Sequence, residues 1–328
     1  MAVVRRIIAV LKLYVIGAKL LVYQMIHRAF VLPALPKQHG KVAIVTGGTR
    51  GIGFEIVKQL LDLGMHVIIA SHNKKIGLAA VKRLCVEKRG AQVEFEHLDL
   101  SSLSSVQEFV QRFRERRLPL HTLINNAAVM LVSEGKTEEG YERHFAINYL
   151  GHFLLTRLLL DILVHSGREE ECSRVVNISS SAHYVSDSNL HDFQSLQNYS
   201  PHASYARSKL AQLLFTYHLH KELEQGSCAV TANAVDPGIV NTDLYRNLSF
   251  PAKLAQKLIA CLLFRSPAKA AEIAVYAATS PDLESVSGCY IHEGNPVKSS
   301  LASYDAELQS ELWKSTCKLL RLSTYIKT

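Results

Sequence analysis

The first 41 residues contain no aspartate or glutamate, while Arg5, Arg6, Lys12, Lys19, Arg28, Lys37 and Lys41 give that segment seven positive charges. Subtracting them from the formal net charge of +8 leaves the remainder at +1. A near-neutral body lacks the extended cationic face that binding by counterion release needs, so nucleic acid is excluded as a partner. The six cysteines, Cys85, Cys172, Cys228, Cys261, Cys289 and Cys317, form no CxxC pair and no Cys/His spacing of a zinc site. They read as small core residues of a reduced protein, and no metal site is expected. The glycosylation patterns at Asn177, Asn198 and Asn247 read as chance occurrences. No Pro/Gly/Ser-rich linker breaks residues 41–300 and no repeat period appears, which excludes a repeat array and points to one large domain. What is present is enough to bury a full core: 328 residues, 48% of them apolar.

Residues 7–26, IIAVLKLYVIGAKLLVYQMI, approach the length of a bilayer-spanning helix but are interrupted by Lys12 and Lys19. Arg5, Lys12 and Lys19 are spaced by sevens and fall on one narrow helical stripe, with apolar residues around the rest. Such a helix lies in the headgroup layer or crosses the membrane with its lysines snorkelling. A cleaved signal, which would make a secreted protein, fits less well, because lysines interrupt the apolar run and no small-x-small site precedes Pro33. PALPKQHG, residues 33–40, reads as a short tether.

After the arm the pattern alternates strand and helix. Val42–Thr46 is a continuous β-rich run, as a strand buried on both faces requires. TGGTRGIG follows at 46–53, and then the helical FEIVKQLLDLG. Gly47, Gly51 and Gly53 permit a tight turn and close approach of a pyrophosphate to the backbone, with the helix amino terminus facing the phosphates. Strand Met65–Ala70 ends at Ser71, His72 and Asn73, without the acid that binds a ribose 2′-hydroxyl in NAD-dependent folds. Arg50, in the glycine turn, offers a cationic fork for a 2′-phosphate, which favours NADP(H) and leaves NAD(H) open. The alternation continues as helix 75–89, strand Val93–Leu98, helix 104–116, strand Leu120–Asn125, a long helix over 138–164 and strand Arg174–Ser179. The fold class is therefore α/β with a doubly wound parallel sheet. Asp99 is placed to accept from the adenine amino group, and Asn125, Asn126 and Ala127 to brace the ribose edge.

HASYARSKLAQLLFTYHLHKEL has apolar residues at helical spacing, which puts Tyr205 and Lys209 at i and i+4 on one face. A nearby ammonium favours the phenolate and makes the tyrosine a usable proton exchanger, and Lys209 can also hold ribose hydroxyls. Ser180, at the end of strand RVVNISS, can donate to a substrate oxygen as charge develops there. Asn148, a polar residue in the apolar FAINYLGHF, is the fourth candidate, as the holder of a water that relays the proton outward.

TGGTRGIG at 46–53, NNA at 125–127, Asn148, Ser180, YARSK at 205–209 and PGIVNT at 237–242 occur in the order and at the spacings of the short-chain dehydrogenase/reductase family. The resemblance spans about residues 41–295 and is nearest to the retinol-dehydrogenase-like branch, on RVVNISSSAHY and KLAQLLFTYHL. Ala128 stands where the family usually has glycine. The resemblance implies a Rossmann-type single domain over 37–300, with a substrate lid near 243–266. The membrane-associating arm of residues 1–36 precedes that domain, and a carboxyl-terminal extension, 301–328, follows it. It implies a tetrad of Asn148, Ser180, Tyr205 and Lys209. Thr46, Gly47, Arg50, Gly51, Ile52, Gly53, Asp99, Asn125, Tyr205, Lys209 and Thr242 would line the nicotinamide dinucleotide.

The implied reaction is hydride transfer between that cofactor and a lipophilic alcohol or aldehyde, a long-chain isoprenoid such as polyprenol or dolichal, with retinoids and steroids as the alternative. The implied setting is the endoplasmic reticulum membrane or a lipid droplet, with a homodimer compatible. FPAKLAQKLIACLLFRSP, with Lys253 and Lys257, is a mainly apolar segment in the lid position, suited to a substrate drawn from a bilayer. A reading from another class is a non-catalytic, cofactor-sensing membrane protein that engages a partner through residues 301–328.

Overall fold

A computed structural model describes residues 2–27, 29–186, 199–247, 260 and 263–325; side chains of residues 1–9 and of Arg246 are outside that description. An amino-terminal helix, α1 (Ala2–Ile26), precedes an eight-stranded sheet of order β3-β2-β1-β4-β5-β6-β7-β8. Its strands are β1 (Val42–Thr46), β2 (His66–Ser71), β3 (Val93–His97), β4 (Thr122–Asn125), β5 (Ser173–Ile178), β6 (Val230–Asp236), β7 (Tyr290–His292) and β8 (Asn295–Val297). All neighbours are parallel except the β7–β8 pair. The chain reverses direction across the sheet between β1 and β4, and such a switch point opens a crevice at the carboxyl ends of the strands.

Alternation along β1 divides the protein into two cores. Val42 and Ile44 face one cluster with Phe109, Phe153 and Leu214, whereas Ala43 and Val45 face the other with Ile56, Leu60 and Ala274. Helices α2 (Gly51–Asp62), α3 (Lys74–Glu87) and α7 (Pro267–Thr279) cover the second face; α4 (Leu103–Glu115), α5 (Gly151–Ser166) and α6 (Pro201–Gln225) cover the first. The expected alternation is therefore present, with ends that shift by a residue or two.

The long helix expected over 138–164 differs. Residue 142 is held in an isolated bridge with Lys136, and the helix begins beyond it as a π-helix, Phe145–Leu150, that runs into α5. Buried Glu142 is the cause: its carboxylate accepts from the backbone N–H of His144 (3.0 Å) and Phe145 (2.8 Å), which caps the helix there. Among the described residues, Phe145–Ser166 is also the helix long and apolar enough to cross a bilayer, but 67% of its apolar window is buried. It is a core helix.

Two peripheral segments pack more closely than the sequence implied. The 33–40 tether is tied to the body by Gln38 N donating to the Leu63 carbonyl (2.7 Å), and just before it Phe30 N donates to Glu293 Oε2 (2.8 Å) and Leu32 N to Glu272 Oε2 (3.2 Å). Helix α8 (Ala306–Leu319) belongs to the first core: Leu308, Leu312, Trp313 and Cys317 are buried, and Trp313 stacks on Phe215. That burial leaves this face of the carboxyl-terminal segment no surface for a partner. Most of the expected lid, including Lys253 and Lys257, lies outside the described residues, as do Cys261 and Asn198. Asn177 is buried and hydrogen-bonds to Asn125 and Thr216, so its glycosylation pattern is a core feature.

Candidate active site

A cleft of about 860 Å³ opens at the carboxyl ends of the central strands. Its one end is backbone-rich and polar. Gly47, Arg50, Gly51, Ile52 and Gly53 line it beside Ser71, His72 and Asn73 after β2, with Asp99 and Ser101 after β3. The turn uses its glycines for distinct reasons. Gly47 has φ +66°, and a Cβ there would lie 2.9 Å from the Ala127 Cα. At Gly53 a Cβ would collide with the Gly47 carbonyl oxygen and with the amide of Asn126. No side chain caps α2, so its first-turn N–H groups remain to bind an anion. This cradle of close backbone and uncapped helix fits a dinucleotide pyrophosphate.

Arg50 forms an ion pair with Asp243 across the mouth, Nη1 to Oδ2 3.6 Å. Asp99 accepts from Ser101 N (2.9 Å) and Ser101 Oγ (2.6 Å) at the cleft edge, and Thr242 lines the wall beside Gly51. Two expected cofactor contacts lie behind the wall instead. Asn125 is fully buried and its amide donates to Thr156 Oγ1 (3.0 Å) and Asn177 Oδ1 (2.8 Å), which ties β4 to α5 and β5. Thr46 accepts through Oγ1 from the backbone N–H of Asn126 (2.9 Å) and Ala127 (3.0 Å). It shapes the loop that lines the cleft, and Asn126 and Ala127 are the residues on the surface of that loop.

The other end of the cleft gathers Ser180, Tyr205 and Lys209, beside a cluster of Met130, Ala182 and Tyr205 with Leu131, Leu244 and Tyr245 packed on it. Tyr205 and Lys209 share the inward face of α6, both almost completely buried, with Lys209 Nζ 5.9 Å from the ring centroid. Nζ donates to the Ile178 carbonyl (2.8 Å) and to Gln212 Oε1 (3.0 Å). The electrostatics differ from the expected acidified phenol. Burial raises the Tyr205 pKa well above its ordinary value, and a hydrogen bond from Ser180 opposes this without reversing it. Burial also lowers Lys209, to about 7, against the attraction of Asp236. Burial outweighs the opposing interactions at both groups, so at neutral pH Tyr205 is a protonated donor.

Ser180 is held from several sides. Its hydroxyl accepts from Ala182 N (3.2 Å), and its carbonyl accepts from His183 Nδ1 (2.7 Å). The Ser300 N–H donates to His183 Nε2 (3.2 Å), which fixes the tautomer with the proton on Nδ1. Burial lowers His183 to about 4, so the ring is neutral. Asn148 lies in the π-helix, a distortion that often marks functional sites. Its side chain is already engaged: Oδ1 accepts from Val129 N (2.8 Å), and Nδ2 donates to Val129 O (3.0 Å) and Ser208 Oγ (2.9 Å). His152 Nδ1 meets its carbonyl at 3.2 Å. Asn148 thus clamps the cleft loop to α6.

Sequence reasoning missed Asp236, at the end of β6. Its carboxylate accepts from Ser181 Oγ, from Tyr290 (2.6 Å) and from Gly238 N (2.9 Å). Burial pushes its pKa up, but nearby His292 and those hydrogen bonds outweigh burial and keep it below the usual carboxylate value. The available signal was an acid at a strand end directly before Pro-Gly.

Residues 41–251 match the short chain dehydrogenase family. The chain belongs to that family. As a short-chain dehydrogenase it is an oxidoreductase that uses a nicotinamide cofactor, and one cleft holds both the glycine cradle and the Ser180–Tyr205–Lys209 group. The chain is 52% identical to a Danio rerio polyprenol dehydrogenase, over 96% of this chain and 98% of that one. It is 39% identical to Mus musculus retinol dehydrogenase 12 over 86% of each. A solved structure, the Pseudomonas aeruginosa RhlG/NADP active-site complex, superposes with a TM-score of 0.63 at 26% identity, over 78% of this chain and 95% of that one.

Proposed function

We propose that this short-chain dehydrogenase interconverts a long-chain isoprenoid alcohol and its aldehyde with NADP(H) at a membrane. The observation that carries the reading is the polarity of the cleft. A backbone cradle for a dinucleotide lies at one end, and a proton donor in an apolar cluster lies at the other. When bound, the nicotinamide supplies or accepts the hydride. Tyr205 would give its phenolic proton to the substrate oxygen in reduction and take it back in oxidation. Ser180 would orient that oxygen, held in place by the His183 and Ala182 contacts. Lys209 would face the nicotinamide ribose, and Asn148 would keep the Val129 backbone in register with α6.

Arg50 supports a preference for NADP(H), since the end of β2 carries Ser71, His72 and Asn73 and no acid to bind a 2′-hydroxyl. Membrane association is supported by α1, whose Leu11, Val15, Val22, Met25 and Ile26 are exposed. The isoprenoid is favoured by identity to polyprenol dehydrogenase; retinoids are the second reading, favoured by the likeness to retinol dehydrogenase 12. Membranes containing the full chain, incubated with a lipid extract and each of the four cofactor forms, test this by mass spectrometry. Interconversion of polyprenol and polyprenal with NADP(H) is expected. Turnover of retinoids or steroids alone would overturn the isoprenoid assignment.

A further inference from the structure

We infer that α1 forms a wall of the substrate channel, and that Leu13 and Gly17 on it select for chain length. The inference rests on the isoprenoid reading and adds to the anchor a role in specificity.

Burial along α1 is periodic. Val10, Leu13, Ile16, Gly17, Leu20, Leu21 and Gln24 are half-buried, while Leu11, Lys12, Val15, Lys19, Val22 and Ile26 are exposed. Steps of three and four residues place the first set on one face of the helix and the second on the other. The inward face closes on the cleft, where Leu13, Gly17, Leu20 and Leu21 are part of the lining. Leu13 packs against the cluster of Met130, Ala182 and Tyr205 and lines the same cleft as the proton donor. Gln24 fixes the helix along its axis, because its Oε1 accepts from the Ile239 N–H at 2.9 Å in the loop after β6. From Gln24 to Leu13 the wall runs about 16 Å at the ordinary helical rise.

Gly17 recesses this wall one turn from Leu13. A Cβ placed there meets nothing within 4 Å. An isoprenoid tail carries no hydrogen-bonding group, so only apolar surface and free width can recognise it. Leu13 supplies the surface next to the reacting end, and Gly17 supplies the width where a longer tail continues. The outward stripe remains free to rest on the bilayer that holds the substrate.

Four full-length proteins in phospholipid–detergent micelles test the inference: wild type, Gly17→Phe, Leu13→Ala and, as an outward-facing control, Val15→Phe. The readouts are kcat/KM for geraniol and for a long polyprenol, and the Kd for NADPH by fluorescence. Gly17→Phe is expected to lower kcat/KM for the polyprenol about tenfold or more relative to geraniol, with the NADPH Kd unchanged. Val15→Phe is expected to leave the ratio at the wild-type value. An unchanged ratio in Gly17→Phe, or equal loss on both alcohols, would overturn the wall assignment. Where Gly17→Phe fails to bind NADPH because it does not fold, Leu13→Ala decides: a shifted ratio supports the wall and an unshifted one rejects it. A wild type that oxidises retinol but not polyprenol rejects the isoprenoid reading alone, and the same variants then read the wall on retinol against a short alcohol.

Discussion

The side-chain nitrogen of Lys209 stands over the Tyr205 ring, 5.9 Å from its centroid, while its hydrogen bonds go to the Ile178 carbonyl and to Gln212. The lysine is thus positioned by the protein before any ligand contact, and burial rather than mutual attraction governs both groups.

Tyr205 carries the proposed proton transfer. Tyr205→Phe is expected to lower turnover by about 10² to 10⁴, the range of general acid–base catalysis, with the NADPH Kd unchanged. Steady-state kinetics beside a fluorescence titration checks this, and near-normal turnover would reject the assignment.

Burial that pulls Lys209 from 10.5 to about 7 has a signed consequence for stability. A depressed folded-state pKa contributes stability that is present above the unfolded value and is lost as pH falls toward the folded one. Lys209→Met removes that dependence. The Tm of the variant minus that of wild type is therefore expected to be largest near pH 6 and to decrease toward about pH 9. A thermal-melt series measures it, and a difference independent of pH contradicts the buried, shifted amine.

The glycine cradle leaves no room for a methyl group at Gly53, next to the Gly47 carbonyl and the Asn126 amide. Gly53→Ala is expected to cost about 1–3 kcal/mol of stability through overpacking and to weaken NADPH binding at least about tenfold. Chemical denaturation and cofactor titration report the two effects separately. Tight cofactor binding in the variant would place the pyrophosphate elsewhere.

Arg50 is half-exposed and paired to Asp243, so it has charge to offer at the cleft mouth at little structural cost. Arg50→Ala is expected to reduce the preference for NADPH over NADH by about tenfold with a small effect on Tm. The ratio of the two dissociation constants is the measurement, and an unchanged ratio removes Arg50 from 2′-phosphate recognition.

Much of this protein was legible because local periodicity encodes local geometry. The unbroken Val42–Thr46 run, the glycines after it and the i, i+4 spacing of Tyr205 and Lys209 each fix a backbone shape or a shared face from adjacent residues alone. The sequence by itself therefore determined the α/β alternation, the dinucleotide turn and the Tyr205–Lys209 pairing. It also marked two faces on α1, but a helical period says nothing of what covers a face. Only the tertiary structure decided that one face of α1 lines the cleft, that Trp313 enters the core, and that Asn125 lies behind the cleft wall. The start of the helix after Glu142 was hidden likewise, because among the neighbouring Glu138, Glu139, Arg143 and His144 the capping carboxylate stands out only once it is buried. The protonation of the site belongs with these: a phenol beside an amine reads as acidified in sequence, and the burial that reverses this comes from residues distant in the chain.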